Sequence, residues 1–407
     1  MVTGIFYGWW VLLACFLIGL YVAGAVYFGI SAFFEPLVKE FGWSYTQVSF
    51  ATSLRGLEMG IFAPIIGFLV DRFGSRKLLL FGTITTGFAL ILLSLTQSLV
   101  MFYISFLLLS FGAGGCTSVV LLTAVAKWFD KNLGMALGVV TCGYGAGGLI
   151  IPLIVRLIDL YHWRTTLIIL GLGMWILGIP LSFIIRDKPK EYIHLPDRDS
   201  FPDSMSQIKN RSKGFEIDLK EAMKQRTFLY LVIVEVIRLM IVSAVVLHVM
   251  PYLSTKGIPR STAGMVTAAI HVFSIIGRFG FGWLGDAYNK KYTMFVALCL
   301  MGMGLVAFCY VQQGWMILIF LLLFSPGCWG SMILARTIQR EYFGKDSFGK
   351  MIGIIMGLGS IGGIIGPTLA GSVFDTFGSY HFVWLGFFCL NIIAIILVLR
   401  IEPKTNR

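Results

Sequence analysis

The chain is built on an internal repeat. A Gly-x-x-x-Asp signature closes two long apolar segments. The first copy is Gly67 and Asp71, followed by Arg72, Gly74, Arg76 and Lys77; the second is Gly282 and Asp286, followed by Lys290 and Lys291. The copies stand 215 positions apart, and the same offset carries Gly138 onto Gly353, Gly147 and Gly148 onto Gly362 and Gly363, and Pro152 onto Pro367. The offset is about half the chain. The fold must therefore be two copies of one unit, each able to pack apolar segments of membrane-spanning length.

Composition decides the class. With 57% hydrophobic and 13% charged residues, an ordinary soluble domain is excluded. Twelve apolar spans begin near Trp9, Thr46, Leu78, Leu99, Gly134, Trp163, Thr227, Ala263, Tyr292, Gly314, Gly349 and Phe382. In 407 residues they leave no room for a soluble catalytic domain. No Gly-x-x-x-x-Gly-Lys-Ser/Thr loop, triad or metal box is present, so neither an enzyme nor ATP drive is expected. The expected fold class is an all-α membrane protein, with twelve transmembrane helices in two pseudo-symmetric six-helix bundles. Its divisions are an N-terminal bundle over 1–186, a polar cytoplasmic linker over 187–225 and a C-terminal bundle over 226–407. The first apolar stretch, from Tyr7 past Tyr27, is too long for a secretory leader and has no preceding positive charge, so it reads as a span.

The net charge of +12 is a matter of topology, not of a nucleic-acid partner. With the N-terminus inside, about 24 of the 32 Lys and Arg fall on the cytoplasmic side and about 5 on the outer side; Arg55, Arg238 and Arg278 lie within spans. Both termini are therefore expected in the cytoplasm. All seven cysteines lie within spans, with no metal-ligand spacing and no outer-loop pair, so no metal, cofactor or disulfide is expected. Repeats in a polytopic membrane protein point to alternating access, with a site between the halves near mid-membrane. Spans 5 and 11 are glycine-rich, and their faces are expected to slide or rock against the other half.

Charges inside a membrane need a partner or a task. Arg55 with Glu58, and Glu235 with Arg238, stand at i, i+3 and can neutralise each other. Arg278 differs. It lies eight residues, about 12 Å of helix, from Asp286, with no acid within one turn. Either Glu235 reaches it from another helix, or its missing anion is a substrate carboxylate, which a planar guanidinium grips with two prongs. One unpaired cation suits one carboxylate, and two would suit a dicarboxylate. His248 in span 7 and His271, seven residues before Arg278, are further polar candidates. Tyr21 and Phe28 share a face of span 1, and Thr117 and Trp329 sit near the middle of spans 4 and 10; for these four, core packing is as good a reading as substrate contact.

The Gly67–Lys77 motif, its repeat and the twelve spans together resemble the major facilitator superfamily. That resemblance implies an inner latch at Asp71, Arg72 and Asp286, weaker in the second copy, where Ala287 replaces the Arg. It also implies a cavity lined by helices 1, 4, 7 and 10. A narrower resemblance spans the chain from Tyr7 to about Arg400. Tyr7-Gly8-Trp9-Trp10, Lys127-Trp128-Phe129-Asp130-Lys131, Gly134-Met135-Ala136-Leu137-Gly138 and Arg278 resemble the monocarboxylate transporters and their bacterial oxalate/formate antiporter relatives. Three positions depart from that pattern. Ser274 stands where the animal transporters carry an Asp, Phe28 stands where they carry a Lys, and helix 11 has no Lys beyond Lys350. The implied activity is secondary active transport of small monocarboxylates such as lactate or pyruvate, by proton-coupled symport. The substrate would meet Arg278, His248, Phe28, Tyr21, Thr117, Trp329 and Ser274, and Glu235 or His248 would carry the proton. The implied partners are the monocarboxylate, protons and the lipid bilayer. The alternative is a carboxylate exchanger of the oxalate/formate type; a reading of another class is a non-transporting sensor signalling through the central linker.

Overall fold

The computed structural model describes residues 6–54, 66, 69–70, 72–129, 133–186, 225–311, 314–343 and 348–401, which contain helices and no strand. Helix α1 is Tyr7–Phe41. Helix α2 opens with Tyr45–Ser53. Then come α3 (Ser75–Ser94), α4 (Leu99–Ala126), α5 (133–161) and α6 (163–184). The second set is α7 (Arg226–Thr255), α8 (Arg260–Ala287), α9 (Lys290–Cys309), α10 (Gly314–Phe343), α11 (Phe348–Phe377) and α12 (His381–Leu399). Ten stretches are long and apolar enough to cross a membrane. Two facts reconcile ten with twelve. Only part of α2 is described, and α5 runs into α6 through the single non-helical residue His162, at φ 63° and ψ 161°.

Hydrocarbon offers backbone groups no partners, so apolar spans close their hydrogen bonds within helices. Side chains set the ends. Ser44 Oγ accepts from the Gln47 N–H at 3.1 Å while the Gln47 side chain accepts from the Ser44 N–H at 3.0 Å, a reciprocal cap that starts α2. Ser98 starts α4 and Asn289 starts α9 in the same manner, with one bond each. Gly42 ends α1 at φ 67° and Gly257 follows α7 at φ 74°, a left-handed turn that favours glycine. These two residues are again 215 apart, as are Pro36 and Pro251, so the repeat extends to the backbone turns.

Two spans are irregular near their middle. In α1, a π-helical stretch, Ala23–Phe28, is followed by a 3₁₀ stretch, Gly29–Phe33. Helix α4 breaks at residues 115–117, between Leu99–Gly114 and Ser118–Ala126. Such interruptions free backbone groups at membrane depth and recur where a helix lines a site.

The glycines mostly pack within each set of helices rather than between sets. A Cβ at Gly362 or Gly366 of α11 would collide with the α7 backbone at Val236 and Met240. At Gly143 and Gly147 of α5 it would collide with α1, 2.8 Å from Phe16 O and 2.7 Å from Gly24 N. These are fixed seams where small residues let backbones touch. A Cβ at Gly145 would meet Ile275, at Gly148 His271, at Gly264 Val155 and at Gly371 the Tyr45 carbonyl; these are the described glycines that face the other set of helices.

Candidate functional site

We call distal the end of the bundle carrying the α1–α2 and α7–α8 turns, opposite the chain termini. Every hydrogen bond and ion pair between α1–α6 and α7–α12, among the described residues, lies in the distal half or at mid-depth. Distally, the Asp375 carboxylate of α11 accepts from Tyr45 N at 3.0 Å, from Thr46 N at 2.8 Å and from Thr46 Oγ at 2.5 Å. It caps the start of α2 from the other set of helices, where the helix dipole favours an anion. Arg260 at the start of α8 donates to Asp159 of α5 at 3.0 Å and to the Ala32 carbonyl of α1 at 2.5 Å. Deeper in, Ser53 Oγ meets Thr368 Oγ at 2.9 Å.

His248 belongs to this distal contact. Its Nδ1 lies 2.8 Å from Tyr380 Oη, and its Nε2 lies 3.1 Å from Ser49 Oγ and 3.0 Å from Pro367 O. It is fully buried and so joins α7, α11 and α12 to α2. Burial first, then the neighbouring Asp375 and Glu35 carboxylates, raise the Tyr380 hydroxyl well above its usual range, so it serves as a neutral group.

At mid-depth the contact between sets narrows to Arg278 and His271 of α8. Arg278 sits with its guanidinium carbon 4.3 Å from the centre of the Trp329 ring on α10. A desolvated contact of that kind contributes about 2 kcal/mol. Its Nη1 points to Thr141 O of α5 at 3.4 Å, near the limit of a hydrogen bond, and its buried Nε has no acceptor. Among the described residues no carboxylate pairs with it. Local sequence explains the placement: Gly277 lies directly on Pro326 of α10, which brings α8 and α10 close enough for Arg278 to reach Trp329.

Glu235 is already engaged. Arg238 grips it with two bonds, 2.9 Å and 2.6 Å, and both side chains are nearly buried. Gly359 of α11 packs on the Glu235 side chain: a Cβ there would come within 2.8 Å of Glu235 Cγ. Cys328, buried on α10, stands beside Arg238. Arg336 of α10 adds a cation that sequence reasoning missed. It is half-buried, its one hydrogen-bonding partner among the described residues is the Met356 sulfur at 3.9 Å, and it stands within electrostatic range of Glu235, Arg238 and Arg278. The charge count had assigned it to the cytoplasmic side. A sequence signal existed, since Arg336 falls seven residues after Trp329 and so on nearly the same helical face.

The remaining candidates divide. Phe28, at the end of the α1 π-stretch, stacks on His271 with ring centres 3.4 Å apart. Both His271 nitrogens are buried without a partner. Ser274 is buried and bonds back to His271 O at 2.5 Å. Tyr21 gives its hydroxyl to Leu170 O of α6 at 2.7 Å, and Thr117 bonds to Gly114 O at 3.0 Å in the α4 break. Thus the structure joins Arg278 to Trp329 and Phe28 to His271, and it directs the hydroxyls of Tyr21 and Thr117 to backbone carbonyls. Of the latch residues, Arg72 is exposed and lies over the Phe73 ring, Asp286 is exposed at the end of α8, and Asp71 lies outside the described residues, as do Arg55, Glu58 and 187–224.

Helical pairs repeated around a mid-depth cation, joined at one end and crossing a membrane, define an α-helical carrier. The family profile of the Major Facilitator Superfamily matches residues 16–330 and 236–407, and the chain belongs to that superfamily. It is 24% identical over 404 residues to monocarboxylate transporter 12 of Homo sapiens, covering 93% of this chain and 77% of that one. It is 26% identical over 362 residues to an agnestins efflux protein of Paecilomyces divaricatus, covering 84% and 75%. Among solved structures it resembles a D-xylose–proton symporter, with TM-score 0.78, 15% identity and coverage of 98% and 99%. It also resembles a bacterial homologue of the human lysosomal transporter Spinster in an inward-facing and occupied conformation, with TM-score 0.78, 15% identity and 97% of both chains. The protein is an integral membrane transporter of the major facilitator fold and not an enzyme.

Proposed function

We propose that this chain is a secondary transporter of small carboxylates, with a monocarboxylate such as lactate or pyruvate as its minimal cargo. One observation carries the reading: Arg278 is a mid-depth cation, on the seam between the two sets of helices, with a carboxylate partner missing among the described residues. An anion there would accept from the guanidinium fork with Trp329 behind it. The similarity to the monocarboxylate transporters supports the same class. Residues 1–186 and 226–407 would rock as two bodies joined by 187–225, with both termini in the cytoplasm of a bacterial inner membrane. In that orientation the closed distal side is the outer one, and cargo exchanges with the cytoplasm in this state.

Proton-coupled symport, with His248 or Glu235 as the carrier, is one form of coupling. Carboxylate exchange is the other, and the engagement of both carrier candidates favours it: Glu235 is held by Arg238, and His248 by Tyr380, Ser49 and Pro367. The test is uptake of labelled lactate, pyruvate and acetate into liposomes holding purified protein. Saturable uptake that Arg278→Gln abolishes is expected. Full uptake by Arg278→Gln would end the reading.

A further inference from the structure

Among the described residues, the charge balance around Arg278 does not close with one carboxylate. In the cluster of α7, α8 and α10 that runs from mid-depth toward the proximal end, the described residues of fixed charge are Glu235, Arg238, Arg278 and Arg336. Glu235 and Arg238 cancel through two short bonds. Arg278 and Arg336 remain, each without a carboxylate among the described residues. Two uncompensated cations at membrane depth are costly, and one monoanion leaves one of them unpaired.

Their spacing follows from how α8 and α10 meet. Gly277 faces Pro326, Phe281 faces Gly330 and Gly285 faces Leu334, so a residue of α8 lies level with the residue 49 positions later on α10. Arg278 is therefore level with Gly327. Arg336 stands nine residues further toward the proximal end, about 13 Å along the axis. Each arginine side chain reaches several ångströms from its helix. The two carboxylates of oxalate, on adjacent carbons, are too close together to meet both. A chain of four to six carbons spans the gap.

We infer that Arg336 is a second anion-holding group of the same cavity, and that the preferred cargo is a linear dicarboxylate of about four to six carbons. One carboxylate lies on Arg278 over Trp329, and the other lies on Arg336 toward the proximal mouth. The inference rests on the proposed role of Arg278 and narrows its substrate class.

The test is equilibrium binding to purified protein in nanodiscs at pH 7.5, where all the acids are ionised. Succinate is compared with butyrate, and glutarate with pentanoate, with oxalate as the short control. Wild type is expected to bind each dicarboxylate at least tenfold more tightly than its partner of equal length, about 1.4 kcal/mol. Oxalate is expected to gain no such advantage. Arg336→Gln should remove the preference, bringing each dicarboxylate to the affinity of its monocarboxylate partner in the same variant. Arg336→Lys, which keeps the charge if the Gln variant fails to fold, should keep most of the preference. Equal binding of the paired acids by wild type overturns the inference, as does a preference that survives Arg336→Gln. Binding of monocarboxylates alone, lost in Arg278→Gln, leaves the Arg278 reading standing and removes this one. Binding of neither class removes both.

Discussion

Asp375 offers the sharpest test of how the distal side is held shut. It sits near the end of α11, where its own helix dipole disfavours an anion, and it serves the start of α2 instead. Replacing it by Asn keeps the shape and removes the charge. One amide oxygen can still accept, so the loss is part of two charge-assisted backbone bonds plus the charge–dipole attraction. A charge-assisted bond contributes about 1.5–3 kcal/mol when intact and the dipole term about 0.3–1 kcal/mol. Because Asp375 is exposed, the lower ends apply, giving a net cost of about 1–2 kcal/mol. The latch exists only with the distal side closed, so only that state is destabilised. The balance should move toward the distal-open state by roughly five- to thirty-fold. The assay is the reaction of a cysteine at position 368, in a background free of the seven native cysteines, with an impermeant thiol reagent added from the distal side. Thr368 is half-buried against Ser53 across the seam, so its reaction reports opening. Asp375→Asn should raise the rate by that factor. An unchanged rate would refute the claim that this cap holds the gate.

Arg278→Lys keeps the charge but loses the planar fork, so carboxylate affinity should fall roughly ten- to hundredfold in a binding titration; unchanged affinity would refute two-pronged binding. Trp329→Ala removes the ring under the guanidinium and should weaken cargo binding roughly thirtyfold, corresponding to a contact of about 2 kcal/mol, with Trp329→Phe recovering part of the loss. His248→Ala leaves the Pro367 carbonyl and the Tyr380 hydroxyl without their partner, a cost of about 1–3 kcal/mol on the distal-closed state. If His248 carries the proton, the same variant flattens the pH dependence of uptake; if it only holds the gate, the profile keeps its shape. Asp71→Asn, at the expected inner latch, should shift cysteine accessibility toward the proximal-open state, opposite to Asp375→Asn.

The parts of this protein that repeat or are uniformly apolar were legible in its sequence. The 215-residue offset located the paired signatures, and the same register recurs in the turn glycines Gly42 and Gly257. Self-pairing of Glu235 with Arg238 followed from their i, i+3 spacing and is observed. That Arg278 has no acid within one turn of its own helix was equally plain. Contacts between distant spans were not legible. Nothing local says that the Asp375 carboxylate caps α2, some 330 residues earlier, although an acid near a helix C-terminus is a hint that it serves another element. His248 read as a substrate contact or proton carrier in span 7. Its partners come from α2, α11 and the residue before α12, so its place in the gate is a product of packing. Arg336 was misplaced because a basic residue toward the cytoplasmic end of a span looks like one more topology determinant.

The cation excess bears on which motion the carrier can make without cargo. On the proposed reading, the site in the distal-closed state opens to the proximal side, where water can screen Arg278 and Arg336. Moving the site to the other side requires an occluded intermediate in which water leaves. Two charges with no carboxylate partner then lose solvation, at several kcal/mol each after relaxation. A bound dicarboxylate supplies both partners, and a monocarboxylate supplies one. On the proposed reading, the loaded protein therefore crosses the occluded state more easily than the empty one, and one cargo must return before the next can be taken. That is the kinetic behaviour of an exchanger. A proton symporter with the same cavity would have to return empty past the same barrier, unless a further group compensated the arginines. Glu235 is poorly placed for that task, since freeing it for Arg336 or Arg278 would expose Arg238 in turn.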